Sequence, residues 1–276
     1  MQMPHSGSLG RHVCWAFDDP ADFRLRAAQY LSEGMAGGAR VIYIAKGDPE
    51  LLLDDLSIVQ GFRPAVASGA AQVMSIDSAY DAHATIDPAQ QLQFYADATE
   101  QALADGHTGL RVAADTTSLV LTDANLDAFA RYEHLADRYM VSHPLTALCA
   151  FDRDWLTAEQ VAQLACMHPQ ASPEATQVRL YAAADAQIDV VLDGEIDMAS
   201  HRLLHAALER ADPAGQNSSI TIDAMGVEFI DHEGVYVLSE YLSRRAATAT
   251  VRCRPESSLA ILIQLLSPPR LHLEIR

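Results

Sequence analysis

From His12 onward, short apolar runs alternate with stretches in which apolar positions recur every three or four residues, the two periods of strand and helix. The runs predict strands over 12–17, 41–45, 72–76, 109–113 and 145–151. Between them the longer period predicts helices over 21–34, 49–59, 88–105, 125–140 and 157–167. Asp19-Pro20 and Asp87-Pro88 read as a cap followed by a first-turn proline, and Gly34 and Gly106 fall near helix ends. Strands alternating with helices predict an α/β fold, a doubly wound and mainly parallel sheet.

The pattern breaks at Met167-His168-Pro169-Gln170-Ala171-Ser172-Pro173-Glu174, where two prolines interrupt a polar run. This predicts a first domain over 1–170 and a second over 171–276, with a short linker at about 169–176 that favours packed neighbours over free beads. Beyond it the predicted order is two strands (177–182, 188–192), a helix (198–210), a strand (219–222), a helix (234–245), a strand (248–253), a helix (256–266) and a last strand (271–275). Two strands before the first helix predict a smaller, mixed α/β sheet. Neither an internal repeat nor a low-complexity segment is visible.

The chain has 276 residues, of which 49% are hydrophobic, enough to bury the core of each domain. No apolar run approaches the roughly 20 residues that cross a bilayer. Met1 to Gly10 lacks a basic segment followed by an apolar one, so a cytoplasmic location is expected. The net charge is −18, divided as −12 over 1–170 and −6 over 171–276, which argues against direct nucleic-acid binding and against an anionic membrane surface. Lys46 is the single lysine and is followed by Gly47-Asp48-Pro49, so the chain has no phosphate-binding loop of the G-x-x-x-x-G-K-[ST] type. That weakens the rival reading of an ATPase or phosphotransferase in the first domain. Cys14, Cys149, Cys166 and Cys253 are far apart in apolar segments, and reduced core residues are expected, with no metal ligands and no cofactor. His201 and His205 share a helix face but lack the glutamate of a zinc motif, which predicts a solvated face.

The most specific stretch lies in the second domain. Leu192-Asp193-Gly194-Glu195-Ile196-Asp197 is followed, after a helix and the strand Ile220-Thr221-Ile222-Asp223, by Phe229-Ile230-Asp231-His232-Glu233-Gly234. These two turns resemble the STAS domain of sulfate transporters and anti-sigma factor antagonists, from Gln177 to the end. Asp197 and Asp231 each precede a helix and are expected to cap it. The resemblance implies that Asp197, Phe229, Asp231, His232, Glu233 and Gly234 belong to a face that docks on an anti-sigma factor or related serine protein kinase. It also implies phosphorylation of a Ser or Thr at the position held here by His232. An imidazole cannot take a serine kinase's phosphate, and three readings stay open. His232 is an ordinary exposed residue; or Asp231 and Glu233 favour its charged form and make docking pH-sensitive; or Glu233 partly mimics a phosphate.

The first domain carries His12-Val13-Cys14, Tyr30-Leu31-Ser32-Glu33-Gly34-Met35, Val41-Ile42-Tyr43-Ile44, Gly109-Leu110-Arg111-Val112, Tyr132-Glu133, Leu148-Cys149-Ala150-Phe151-Asp152 and His168-Pro169. In this order they resemble the MEDS sensory domain of methanogens and methylotrophs. The resemblance implies a degenerate RecA-like fold without its nucleotide loop, sensing a small molecule. Ligands of open parallel sheets sit beyond the carboxyl ends of the strands, where Asp18, Lys46, Asp77, Asp115 and Asp152 are expected. Arg111 and Glu133 are further candidate contacts, conceivably as a buried ion pair, while His12 at the start of its strand is expected to be structural. Together these features predict a non-catalytic regulator whose sensory module controls a docking module, and through it transcription. A STAS-based scaffold or homo-oligomer is the third class.

Overall fold

The computed structural model describes residues 10–80, 85–215 and 217–276. The residues ahead of Gly10, which carry most of the stretch read as lacking a leader, lie outside them.

The first domain runs β1 (His12–Phe17), α1 (Pro20–Ala36), β2 (Arg40–Ala45), α2 (Pro49–Asp55), α3 (Phe62–Ser68), β3 (Ala71–Ser75), α4 (Ile76–Ala79), α5 (Pro88–Ala104), β4 (Leu110–Asp115), α6 (Asp123–Ser142), β5 (Leu145–Asp152), α7 (Ala158–Ala165) and β6 (Gln170–Ala171). Its six strands form one parallel sheet in the order β3-β2-β4-β5-β1-β6. Strands buried on both faces explain the nearly continuous apolar runs Val41–Ala45 and Leu145–Phe151. One face packs on α1, α2 and α3, the other on α5, α6 and α7, so the sheet is doubly wound. The caps follow the sequence: the Asp19 carboxylate accepts the Ala21 N–H and Asp87 accepts those of Ala89 and Gln90, each ahead of a proline.

The helix expected over 49–59 stops at Asp55. The chain then turns through Gly61, whose φ of 80° is left-handed, into the separate α3.

The second domain comprises β7 (Val178–Tyr181), β8 (Val190–Ile196), α8 (His201–Ala211), β9 (Ser219–Ile230), α9 (His232–Arg244), β10 (Thr248–Cys253), α10 (Ser258–Leu266) and β11 (Leu271–Ile275). Its sheet order is β11-β10-β9-β8-β7, with β7 antiparallel to β8 and the other pairs parallel. Strand β9 is far longer than the four residues expected, because it stays paired with β8 through register shifts between Val191 and Asp193 and between Gly194 and Glu195. Helix α8 begins three residues later than expected, since Asp197 to Ser200 form a turn in which Ser200 N–H donates to the Asp197 carbonyl (3.0 Å).

The segment read as a linker is strapped down at once. Gln170 and Ala171 pair with Val13 and Cys14 of β1, and the Ser172 hydroxyl accepts the Ala16 N–H at 3.0 Å. Ala130, Cys166 and Met167 of the first domain share an apolar core with the second sheet. Arg210 of α8 reaches back to Asp127 (3.0 Å) and Gln163 (2.7 Å), so the two domains are packed neighbours.

Candidate functional site

Helix α6 lies with its apolar stripe, Leu126, Phe129, Tyr132, Ala136 and Met140, on the sheet. On that same buried face, one turn apart, stand two carboxylates, Glu133 and Asp137. Burying two acids in a core is costly unless each finds donors, and the fold brings them from distant elements. From the start of β1, His12 sets Nε2 2.9 Å from Glu133 Oε2 and Nδ1 3.4 Å from Asp137 Oδ1. Asp137 also accepts from Arg11 (3.2 Å) and from the Ala182 N–H just past β7 (2.7 Å). Beyond α7, His168 packs its ring on His12 with centroids 4.0 Å apart and places Nε2 3.5 Å from Glu133 Oε2. Cys149 of β5 points its Sγ at the same oxygen (3.5 Å) and at His12 Nε2 (3.7 Å). His12, Glu133, Asp137 and His168 are wholly inaccessible to solvent (0%).

The electrostatics follow from sealing these groups together. Burial alone would lower the His12 pKa, but the hydrogen bonds and charges of Asp137 and Glu133 lift it to about 9, so it stands as a cation between two anions. Burial alone would raise Glu133 and Asp137; facing His168 and His12, and His12 and Arg11, respectively, both remain below the ordinary carboxylate values. Burial, reinforced by the neighbouring His12 charge, drops His168 to about 4, and Cys149 is pushed well up by burial and by Glu133.

The sheet's carboxyl rim carries a second, smaller feature. Lys46, Asp115 and Asp152, with Thr117 and Trp155, line a pocket of about 130 Å³ over the ends of β2, β4 and β5. Asp115 accepts from the Thr117 hydroxyl (2.6 Å), and burial raises its pKa despite that bond. The other proposed ligand contacts lie elsewhere. Asp18 and Asp77 are exposed and do not line this pocket. Arg111 does not meet Glu133: it opens β4 at the opposite rim, where its guanidinium covers the Tyr30 ring at 3.8 Å and donates to Glu33 at 2.9 Å. Glu133 belongs to the sealed cluster, because α6 turns that residue inward beneath the sheet's middle.

In the second domain the two signature turns meet. Gly194 has a φ of 97°, and a side chain there would strike the Gln177 carbonyl of the adjoining strand. Gly234 lets α9 approach so closely that an added Cβ would fall 2.7 Å from both Ile196 and Ile230. Asp231 caps α9 by accepting the Gly234 N–H (2.9 Å) and takes a second bond from His201 Nε2 (2.7 Å). Burial opposes its charge, but the Gly234 bond and His201 outweigh that and hold its pKa below the usual value. His201 therefore buttresses the capping acid, rather than resting on a solvated face, while His205 meets Arg244 at 3.2 Å. Asp197 does not cap α8; its carboxylate accepts the Ala199 N–H (2.9 Å) inside the preceding turn. Around this scaffold Met198, Phe229, His232, Glu233 and Tyr236 are all exposed, with Met198 at 88%.

His12, Cys149 and His168 escaped the sequence reading because positions 12, 149 and 168 converge only when β1 inserts beside β5. Two signals are visible: the pair of acids four apart on α6, and the presence of His12, Glu133, Cys149 and His168 among the pieces that carry the first-domain resemblance.

The chain matches the family model described as the methanogen/methylotroph, DcmR sensory domain (MEDS) over residues 11–169, and the model described as Mlab, STAS domain over residues 180–259. No curated protein matches it.

Proposed function

The chain belongs to the MEDS family of sensory domains, here followed by a STAS domain, and from that premise we propose that it is a non-catalytic regulator: the first domain senses a small molecule and the second docks on an anti-sigma factor or a related serine protein kinase, changing transcription without touching DNA. The observation that carries this reading is the apolar rim of Met198, Phe229 and Tyr236 set around the rigid Asp231–Gly234 turn. Exposed large apolar side chains held on a braced turn are what a partner's core contacts require. His232, at 60% exposure, lies in that rim with Tyr236 edge-on at 6.1 Å, and no kinase can place a serine phosphate there.

The first domain offers little to a nucleotide. Phosphates bind where a helix N-terminus presents bare N–H groups, whereas the β1–α1 turn is Asp18-Asp19-Pro20 and its own carboxylate already occupies the Ala21 N–H. The link between sensing and docking runs through Asp137, which touches His12 in one domain and the Ala182 N–H in the other. A signal that binds one arrangement of this junction more tightly than another shifts exposure of the docking rim.

The test is binding of the full chain to an anti-sigma-type kinase by calorimetry. Phe229→Ala with Tyr236→Ala is expected to weaken it at least about 30-fold, as loss of anchor residues does. Unchanged binding by this double variant, or robust ATP turnover by the purified chain, overturns the reading.

A further inference from the structure

We infer that His12, Glu133, Cys149 and His168 form a closed site for one divalent transition-metal ion of the zinc class. This goes beyond the docking role and does not depend on it.

The donor atoms of the four residues all lie within 4.8 Å of one another, and every one is buried. Two ligands of a tetrahedral zinc site are separated by about 3.3–3.8 Å, given bond lengths of about 2.0–2.3 Å. The Cys149–Glu133, His168–Glu133 and Cys149–His12 separations are 3.5, 3.5 and 3.7 Å. The His12–Glu133 separation, at 2.9 Å, is shorter, as suits two groups sharing a proton.

The outer contacts are those of metal-binding imidazoles. Such a histidine turns its second ring nitrogen to a carboxylate or backbone carbonyl, which fixes the tautomer and frees the other nitrogen for the ion. His168 Nδ1 lies 2.9 Å from the Leu164 carbonyl and His12 Nδ1 3.4 Å from Asp137, and both Nε2 atoms converge on Glu133. His168 Nε2 is buried with no hydrogen-bond partner, a costly state that coordination removes.

The donor set decides the class of ion. A thiolate with two imidazoles and one carboxylate suits zinc or cobalt and not magnesium or calcium, which take oxygen ligands. Four protein donors leave no open position, as in structural sites. The ion would brace β1, β5, α6 and the end of α7, beside the Asp137–Ala182 link between domains.

The experiment is refolding of the full chain in zinc or cobalt, followed by metal analysis and absorption spectroscopy. One ion per chain and a tetrahedral cobalt spectrum with a thiolate-to-cobalt band are expected. Cys149→Ser should abolish that band, and Cys253→Ser in the second domain should keep it. Asp137→Asn should weaken zinc affinity about 10–100-fold, as loss of an outer-shell carboxylate does. Should Cys149→Ser fail to fold, the wild-type metal stoichiometry and thiolate band still decide the matter. A folded chain that takes up neither zinc nor cobalt, or a thiolate band that survives Cys149→Ser, overturns the inference.

Discussion

The two domains treat charge in opposite ways. The first seals His12, Glu133, His134, Asp137 and His168 inside its core, whereas in the second every buried polar residue among those described is a serine, and its core of Leu192, Leu204, Leu238 and Val251 is apolar. Its acids Asp231 and Glu233 are both open to solvent. A buried ionic network adds little stability over an apolar replacement and is severely destabilised by the loss of one member. A charged core is therefore better suited to responding to an ion or ligand, and an apolar core to holding a docking surface still.

Four substitutions break or sharpen this contrast. The largest effect is expected at Glu133→Ala, which leaves a buried cationic His12 short of a partner; urea unfolding of the chelator-treated protein should show a loss of about 3–5 kcal/mol. Its counterpart, Leu238→Ala, should cost about 2–4 kcal/mol through a cavity alone, by the same amount with and without zinc because the four proposed ligands are intact, whereas Glu133→Ala should also lose the stabilisation that zinc gives the wild type. If both variants respond alike to zinc, the contrast is lost.

Next in size is Asp231→Ala, expected to lower stability by about 1 kcal/mol at pH 7 through loss of the α9 cap. The folded Asp231 holds its proton less tightly than the unfolded one, so its contribution is complete above the unfolded value of about 3.9 and disappears as pH falls through the lower folded value. Thermal melts of wild type and variant should converge on acidification; a gap that widens there contradicts the assignment.

The smallest effect is a gain. Burial raises the Asp115 pKa, so ionising it at neutral pH works against folding, and Asp115→Asn can still accept both Thr117 bonds. The variant should be more stable by about 0.5–1 kcal/mol in urea titrations, the pattern of a residue kept for binding at the expense of stability. Destabilisation instead would make Asp115 a structural acid.

Much of the architecture was legible along the chain. Strand and helix alternation, the Asp-Pro helix starts and the two glycine-bearing turns are local signals, read from residues a few positions apart. Less was legible at the sites. That Lys46, Asp115 and Asp152 share one rim is legible because strand ends map directly onto one side of a parallel sheet. His201 was misread because its partner Asp231 is 30 residues away, and Arg111 because Tyr30 and Glu33 claim it across the β4–α1 contact.

The amino-acid order by itself determined two α/β domains, the family resemblance of each, the acidic exterior and the rim that closes on Asp231. All of these rest on periodicity, composition or short-range turn chemistry. Only the tertiary structure decided that His12, Glu133, Cys149 and His168 share one sealed point and that Asp137 ties it to the second domain. Strand order is set by the global packing of helices on a sheet, and it is strand order, placing β1 beside β5, that brings donors more than 100 residues apart within bonding reach.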